Sequence, residues 1–338
     1  MKELIAEVNS GAELSAASVG EAAAALLSGT VADEEKADFL EALHRRGETP
    51  SEVTAFAREF LGRAEPFPVP AGVGPVLDVC GTGGDRLGLF NVSTTVMFVA
   101  AGAGARLVKH GNRGITSKSG GADVLEALGV PIEAPTERLQ AMLADCGAVF
   151  LFAPRFHPAF KAVVAARKLL AARGSASVFN MLGPLLNPAR PEFQLAGVFS
   201  AQLVPLYASV LPELGRKRAW IVHGRTDAGG VMDEISTLGP TTVADTGGGG
   251  REFQPSDFGL PPARIEELRG GDASENATIL LSILDGAEGP ARDIVVVNAA
   301  AAIVVCGLAA DLDEGMQRAR ESIDSGRARG VLEALRVA

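Results

Sequence analysis

Hydrophobic positions recur at helical spacing through residues 1 to about 65, without the alternation that a half-buried strand would show. In the segment ADEEKADFLEALHRRG, Phe39, Leu40 and Leu43 share one face of a helix. Asp33 is the predicted N-cap of this helix, and Gly47 is its predicted stop.

The next segment, TPSEVTAFAREFLGRA, carries a stronger helix start signal. Thr49 can cap the helix, Pro50 suits its first turn, and Glu52 completes a capping box. Residues 1–65 are therefore predicted to form a small all-helical unit.

The pattern changes at EPFPVPAGVGP, where four prolines and two glycines indicate a linker between domains. From Val76 onward, short apolar runs alternate with helical segments. The predicted strands lie in PVLDVCG, ARLVKHG, GAVFLFAP, QLAGVFS and RAWIVHG, and the predicted helices in STTVMFVAAGAG, GGADVLEALG and LVPLYASVLPELG. This alternation predicts a larger α/β domain whose central sheet is mostly parallel and covered by helices.

The last part of the chain adds two expectations. The segment EGMQRARESIDSGRARGVLEALRVA is predicted to be helical, with Glu314 and Arg318 at the favourable i, i+4 spacing. The run GGGG at positions 247–250 is predicted to be a hairpin or loop tip.

Length and charge narrow the class of protein. A chain of 338 residues is longer than one hydrophobic core usually grows, which predicts two domains. The formal net charge of −10 argues against nucleic acid as the main partner, because such binding depends on Lys and Arg neutralising phosphates.

Cysteine usage and the N-terminus indicate a compartment. Cys80, Cys146 and Cys306 are too few and too far apart for a disulfide framework or a zinc site, and we interpret them as small buried hydrophobes. Glu3 and Glu7 interrupt any signal-like apolar core, and no apolar run reaches membrane-spanning length. These features predict a soluble cytoplasmic protein with no membrane partner.

Chemistry-bearing residues follow three predicted strands of the sheet. The loop 81–85 follows the first strand, the loop 109–113 follows the second, and Asp233-Glu234 follows the strand in RAWIVHG. Ligands of open α/β sheets bind at the carboxyl ends of the strands, so these loops are the candidate site.

The glycine loop CGTGGD fits neither common phosphate fingerprint. The dinucleotide pattern would need a glycine where Arg86 stands, and the P-loop pattern would need Gly-Lys-Ser/Thr, which is absent. Glycines nevertheless let backbone N–H groups approach an anion, and a helix that begins near Ser93-Thr94 would add its positive end. Alone, this loop is equally consistent with a structural turn.

The second loop, KHGNRGITSKSGG, strengthens the phosphate interpretation. It places several cations, hydroxyls and glycines after the neighbouring strand, as expected for a multiply charged phosphate ester. Acidic Asp85, Asp233 and Glu234 would repel such a ligand unless Mg²⁺ lies between them. The sequence therefore predicts a site for magnesium and a phosphate ester.

With these residues in view, the chain resembles the anthranilate phosphoribosyltransferase family, whose members join anthranilate to 5-phosphoribosyl 1-pyrophosphate (PRPP) in tryptophan biosynthesis. The matching motifs are CGTGGD, FNVST, VKHGNR, SGGADVLEALGV, FAPRFHPAFK, FNMLGPLLNP, MDEIS, GPTTVAD and DFGL. They run in family order over nearly the whole chain.

The resemblance implies the nucleoside-phosphorylase-like phosphoribosyltransferase fold. We expect a small helical domain of residues 1–65 plus helices from about 160–190, and a large α/β PRPP-binding domain of residues 72–160 and 190–338. It also implies a homodimer formed through the helical domain.

The resemblance further implies a set of site residues. Mg²⁺, as two ions with the pyrophosphate, would be held by Ser93, Asp233 and Glu234. Arg167 would face the anthranilate carboxylate, and Lys109, His110, Asn112 and Arg167 would position the substrates without a covalent intermediate. The full implied substrate-binding set is Gly81, Gly84, Asp85, Asn91, Val92, Ser93, Thr94, Lys109, His110, Gly111, Asn112, Arg113, Ser117, Gly121, Arg167, Gly183 and Pro184.

The chain departs from the family pattern at Arg86, Leu89 and Gly121, where the family usually has glycine, threonine and serine. The segments AARGSASVFN and HGRTDAGGVMDE also look longer than their family counterparts. These departures leave weaker substrate affinity or a changed acceptor open. Two other functions also stay open: a nucleoside phosphorylase of the same superfamily, and a catalytically silent relative that binds nucleic acid.

Overall fold

The computed structural model describes residues 1–84, 87–114 and 118–337. Its first 62 residues form four helices, α1 (Lys2–Asn9), α2 (Ala16–Leu27), α3 (Asp33–Arg46) and α4 (Pro50–Gly62). The capping box predicted for α4 is confirmed, because Thr49 and Glu52 bond each other's backbone N–H groups. The predicted N-cap of α3 is wrong by one residue: Ala32 occupies that position, and Asp33 is already helical.

A mixed sheet forms the centre of the rest of the chain, confirming the predicted α/β class. Its strands in the described residues are β1 (Leu77–Gly81), β2 (Leu107–Gly111), β3 (Ala148–Phe152), β4 (Phe193–Gly197), β5 (Arg218–Arg225), β6 (Val231–Met232), β7 (Thr241–Asp245) and β8 (Gly250–Phe253). The strand order is β3-β2-β1-β4-β5-β7-β8, and β6 pairs with β5. Strands β1 to β5 are parallel, whereas β6, β7 and β8 are antiparallel additions.

Helices cover the sheet. They are α5 (Val92–Gly102), α6 (Gly121–Ala127), α7 (Thr136–Cys146), α8 (Ala153–Phe156), α9 (Val164–Ala172), α10 (Phe179–Leu182), α11 (Leu203–Glu213), α12 (Ala273–Leu284), α13 (Pro290–Val305), α14 (Leu312–Asp324) and α15 (Arg327–Val337). Short 3₁₀ helices span Pro158–Val163, Gly183–Leu185, Pro255–Phe258 and Ile265–Leu268. Among the described helices, none is long and apolar enough to cross a membrane.

The C-terminal prediction is confirmed in part. The helical segment is two helices, α14 and α15, because Gly326 adopts a φ of +76° and interrupts it. Arg318 pairs with Glu314 at 2.8 Å, as their spacing predicts. The GGGG run lies at the turn of the β7–β8 hairpin, as expected.

The sheet separates two hydrophobic cores, and successive residues of β4 and β5 alternate between them. Leu195, Trp220 and Val222 belong to the core shared with β1 to β3, α5 and α13. Ala196 and Ile221 belong to a second core that also contains the N-terminal helices and the segment Val163–Leu186. Strands β4 and β5 therefore contribute side chains to both cores.

The cysteine interpretation needs correction. Cys80 is buried, but Cys146 and Cys306 are only half-buried. All three are free thiols.

Candidate active site

The glycine turn after β1 closes around a carboxylate of the protein itself. A Cβ at Gly81 would collide with Oδ2 of Asp233, and the Gly83 N–H donates to that oxygen at 2.7 Å. Gly83 and Gly84 adopt φ values of +70° and +99°, which favour glycine. The bare backbone thus lets Asp233 approach the strand end. The predicted site residue Asp85 and the departure at Arg86 lie outside the described residues.

Helix α5 begins next to this turn. Asn91 precedes its first residue, Val92, and accepts a hydrogen bond from Asn276 Nδ2 at 2.8 Å. Ser93 is half-buried and Thr94 is buried in the first turn, where helical N–H groups have no partner within the helix. The helix start that the sequence predicts near Ser93 is confirmed.

Lys109 is a buried cation rather than a surface charge. Its side chain is 4% exposed, and its ammonium donates to Val79 O and, at 3.1 Å, to Ser93 Oγ. The positive charge also counteracts the burial of Asp78 and Asp233, whose carboxyl pKa values burial raises. Lys109 therefore balances buried negative charge under the start of α5.

The acidic pair follows β6 and is held from across the fold. Asn298 of α13 accepts from Ile235 N at 2.8 Å and donates to Ile235 O at 2.9 Å, which fixes the residue next to Glu234. Burial raises the pKa of Asp233, and the Gly83 N–H opposes that rise. Ser93 and Glu234 line the same small recess.

These residues fit a magnesium ion by the chemistry of their donors. Asp233, Glu234 and Ser93 offer two carboxylates and a hydroxyl, and all are hard oxygen ligands. No group of three or more acidic, histidine or cysteine side chains that could hold a metal occurs within the described ranges. Magnesium tolerates so few protein ligands because it keeps waters and shares substrate oxygens.

Two histidines occupy the side of the strand ends toward the second core. The ring centroids of His110 and His157 lie 5.3 Å apart, and His157 Nε2 bonds Leu186 O at 2.8 Å. Burial lowers the pKa of His110 to about 3 and also lowers the pKa of His157, so both imidazoles are neutral near pH 7. His110 Nε2 and His157 Nδ1 are buried without a hydrogen-bond partner in the part of the chain that is described.

Arg167 of α9 lies over the ring of Phe179, with 5.5 Å between the guanidinium carbon and the ring centroid. Burial lowers its pKa, and no carboxylate of the described residues pairs with it. Phe160 packs edge-on against Phe179 and stacks on His157. An aromatic cluster therefore leads from the guanidinium to the histidines.

Asn112, Arg113 and Gly114 of the second loop are exposed. Arg113 pairs with Glu126 and, at 3.2 Å, with Asp123, so a phosphate would compete with carboxylates for its guanidinium. Asn112 is exposed, and its Oδ1 accepts from Arg113 N at 2.8 Å. Ser117 lies outside the described residues.

Glycines also mark close approaches near this loop. A Cβ at Gly111 would lie 2.9 Å from the Phe150 ring, and one at Gly121 would lie 2.9 Å from Thr94 Oγ1. Leu89, one of the departures, forms an isolated bridge with Arg269.

Sequence reasoning assigned no role to several residues that shape this site. Asn276 and Asn298 hold Asn91 and the acidic loop from helices far along the chain, and His157 packs beside His110. Asn276 is 185 residues from Asn91, so no local pattern connects the two.

Two family models match the chain. The model described as "Glycosyl transferase family, helical bundle domain" matches residues 2–64. The model described as "Glycosyl transferase family, a/b domain" matches residues 73–329.

Curated relatives match over nearly the full length. The anthranilate phosphoribosyltransferase of Rhodospirillum rubrum is 46% identical over 335 residues, covering 98% of this chain and 94% of the relative. That of Methanosphaerula palustris is 45% identical over 338 residues, covering 99% and 97%.

Solved structures agree. The anthranilate phosphoribosyltransferase of Thermus thermophilus superposes with a TM-score of 0.91 at 40% identity, covering 99% of both chains. The Saccharomyces cerevisiae enzyme in complex with PRPP and Mg gives a TM-score of 0.85 at 30% identity, covering 95% and 92%. The same yeast enzyme in complex with 4-fluoroanthranilate gives 0.81 at 29% identity, covering 95% and 90%.

Proposed function

Because this chain belongs to the anthranilate phosphoribosyltransferase family, we propose that its strand-end site transfers the phosphoribosyl group of PRPP to the amine of anthranilate. The products are N-(5-phosphoribosyl)anthranilate and pyrophosphate, and the reaction is a step of tryptophan biosynthesis. The observation that carries this proposal is the meeting of Lys109, Ser93 and Asp233 at one edge of the sheet. Two neutral histidines lie on the side of the strand ends toward the second core, and the guanidinium of Arg167 lies beyond them. No carboxylate of the described residues pairs with this guanidinium.

We define a donor region, which would bind PRPP, as Gly81–Gly84, Asn91–Thr94, Lys109, Asp233 and Glu234. In it, the first turn of α5 offers N–H groups to phosphate oxygens, whereas the N–H groups of Thr82 and Gly83 in the glycine turn already bond Gly197 O and Asp233. Lys109 supplies a buried positive charge beneath Ser93. Asp85, Gly111, Arg113, Ser117 and Gly121 complete the proposed set of PRPP contacts.

Ser93, Asp233 and Glu234 are the proposed ligands of Mg²⁺, and we propose two ions with the pyrophosphate. The yeast relative is described in complex with PRPP and Mg, which supports a magnesium role. When bound, magnesium neutralises the pyrophosphate charge as this group leaves. Burial raises the pKa of Asp233, and a cation bound beside this carboxylate would favour its charged form.

We define an acceptor region, which would bind anthranilate, as His110, Asn112, His157, Arg167 and the turn Gly183–Pro184. A planar guanidinium suits the carboxylate of anthranilate, and no described carboxylate competes for it. The aromatic ring of anthranilate would lie among Phe179 and the neutral imidazoles.

The chain acts by positioning rather than through a covalent intermediate. The amine nitrogen forms a bond to C1 of the ribose, the bond from C1 to pyrophosphate breaks with its electron pair leaving on oxygen, and the amine releases one proton. The donor region stabilises the leaving charge, while the acceptor region holds the amine behind C1. The neutral state of His110 and His157 avoids placing positive charge beside a developing oxocarbenium centre.

The activity is tested by the loss of anthranilate fluorescence with PRPP and Mg²⁺. We expect anthranilate to disappear only when both are present, with one pyrophosphate released per anthranilate consumed. No loss of anthranilate at saturating substrates would refute the proposal.

We also propose the domain division 1–65 plus about 160–190 against 72–160 and 190–338, supported by the second core that joins α1 to α4 with Val163–Leu186. A homodimer through the helical domain and a cytoplasmic location are further proposals, the latter supported by three free thiols. Light scattering of the purified protein tests the dimer, because a monomer mass would exclude it.

A further inference from the structure

The acceptor-lining segment Gly183–Asn187 is held by buried polar groups of the sheet. Gln194 Nε2, on β4, donates to Pro184 O at 2.7 Å. Asn187 Nδ2 donates to Asp78 Oδ2 at 3.0 Å and to Val108 O at 2.7 Å. Strands β1, β2 and β4 therefore all bond the segment that connects α10 to β4.

Arg216 sets the orientation of the Gln194 amide. Arg216 is 4% exposed, and its Nε donates to Gln194 Oε1 at 2.9 Å. A guanidinium can only donate, so it fixes which end of the amide is the oxygen and turns the NH₂ toward Pro184. Gln194 itself is fully buried, which leaves no water to substitute for either bond.

Asp78 joins the same segment to the histidine loop. Its Oδ1 accepts from His110 N at 3.3 Å, while its Oδ2 accepts from Asn187. One buried carboxylate thus bonds both walls of the acceptor region, His110 and the residue that ends the Gly183–Asn187 segment. The backbone of Gly183 also faces the His110 ring.

We propose that Gln194 is a positioning residue for acceptor binding: held by Arg216, it fixes the Gly183–Pro184 turn against His110 and so sets the affinity for anthranilate. Gln194 is on β4 and bonds the backbone oxygen of Pro184, so it acts through the turn rather than on the substrate. The inference rests on the proposed function for the identity of the acceptor. The placement of the turn against His110 does not depend on it.

The sharpest variant is Gln194→Glu. A glutamate keeps an oxygen that accepts from Arg216, so this contact remains as an ion pair. Its second oxygen replaces the NH₂ group that donates to Pro184 O, and the two oxygens repel each other. We expect the KM for anthranilate to rise on the order of tenfold and the KM for PRPP to stay within about twofold. If Gln194→Glu does not fold, the apolar Gln194→Met, of similar length, undergoes the same measurements.

The control is Ser322→Ala, which removes another buried hydrogen bond, from Ser322 Oγ to Val99 O at 2.7 Å, in the second half of α5 rather than in its first turn. It should lower stability without separating the two KM values. If Gln194→Glu or Gln194→Met raises both KM values alike, or neither, Gln194 has only a structural role and the proposal is overturned.

A second readout is independent of turnover. The chain has four histidines, so ring-proton NMR signals can be resolved and assigned with single His→Gln variants. We expect Gln194→Glu to shift the His110 signals and to leave those of His44 and His223 in place. Unchanged His110 signals would overturn the role of Gln194, whether or not the wild-type protein consumes anthranilate. A wild-type protein that consumes no anthranilate would refute the proposed function, which is a separate outcome.

Discussion

The donor and acceptor regions share the strand ends but handle charge in opposite ways. In the donor region Lys109 is buried and Asp233 is half-buried, and the positive charge of Lys109 opposes the rise that burial causes in the pKa of Asp233. In the acceptor region burial lowers the pKa values of His110 and His157, so both imidazoles are neutral. Arg167 is the exception there, a cation without a described carboxylate partner.

The difference follows from where each region lies in the fold. The donor region consists of parallel strand ends and a helix start, whose backbone groups suit anions. The acceptor region lies where the second core reaches the sheet, so aromatic side chains surround it. A polyanion and a flat aromatic acid would each meet the environment that suits them.

The largest effect is expected from removing the donor region's negative charge. Asp233→Asn with Glu234→Gln should lower kcat by about 10²–10³-fold, because magnesium loses its carboxylate ligands. The Mg²⁺ concentration giving half-maximal rate should rise as well. Asp227→Asn, in the exposed turn between β5 and β6, is the matched control and should behave as wild type. An unchanged magnesium response in the double variant would contradict the assignment.

The neutral imidazole of His110 predicts that the free energy of unfolding depends on pH. The unfolded chain protonates His110 below its ordinary pKa of 6.5, whereas the folded chain does so only near 3. The unfolded state therefore binds the extra proton, and stability falls as pH drops from 6.5 toward 3. At pH 4, His110→Gln should remove about 3 kcal/mol of this acid-induced loss.

Urea unfolding at pH 7 and pH 4 measures this difference. His44→Gln, a change at a partly exposed histidine in α3, should keep the full wild-type loss. Equal acid sensitivity in wild type and His110→Gln would show that His110 is not the group responsible.

Removing the guanidinium of Arg167 should weaken the binding of anthranilate alone. Arg167→Ala is expected to raise the KM for anthranilate by about 10–100-fold, because a charge-assisted bond to the carboxylate is lost. Lys168→Ala removes an exposed neighbouring cation of α9 and is the control. Normal anthranilate kinetics in Arg167→Ala, measured by fluorescence, would exclude the role.

The smallest effect concerns the departure at Gly121. Serine and alanine there crowd Thr94 Oγ1 equally, since both place a Cβ 2.9 Å from it, but only serine adds a hydroxyl. Gly121→Ser should therefore have a KM for PRPP about threefold lower than Gly121→Ala. Identical constants would mean that a hydroxyl at this position does not reach PRPP.

Local patterns accounted for much of the fold. The capping box at Thr49 and the helix start near Ser93 depend on residues within one turn, and both were predictable. The error at Asp33 and the interruption of the C-terminal helix at Gly326 concern boundaries, where neighbouring residues compete for the same role.

The site was less accessible to sequence reasoning because its contacts are long-range. The glycines after β1 indicated an approaching anion, but not that Asp233, 150 residues away, is that anion. Likewise, the charge of Lys109 was visible, whereas its burial beneath α5 depends on tertiary packing. The roles of Asp85 and Ser117 stay predictions, because both residues lie outside the described ranges.

The most direct test of the two-region account is a grid of initial rates over both substrate concentrations for Arg167→Ala and Ser93→Ala. The account predicts that Arg167→Ala raises only the KM for anthranilate and that Ser93→Ala raises only the KM for PRPP. Variants that each raise both constants to the same degree would contradict it.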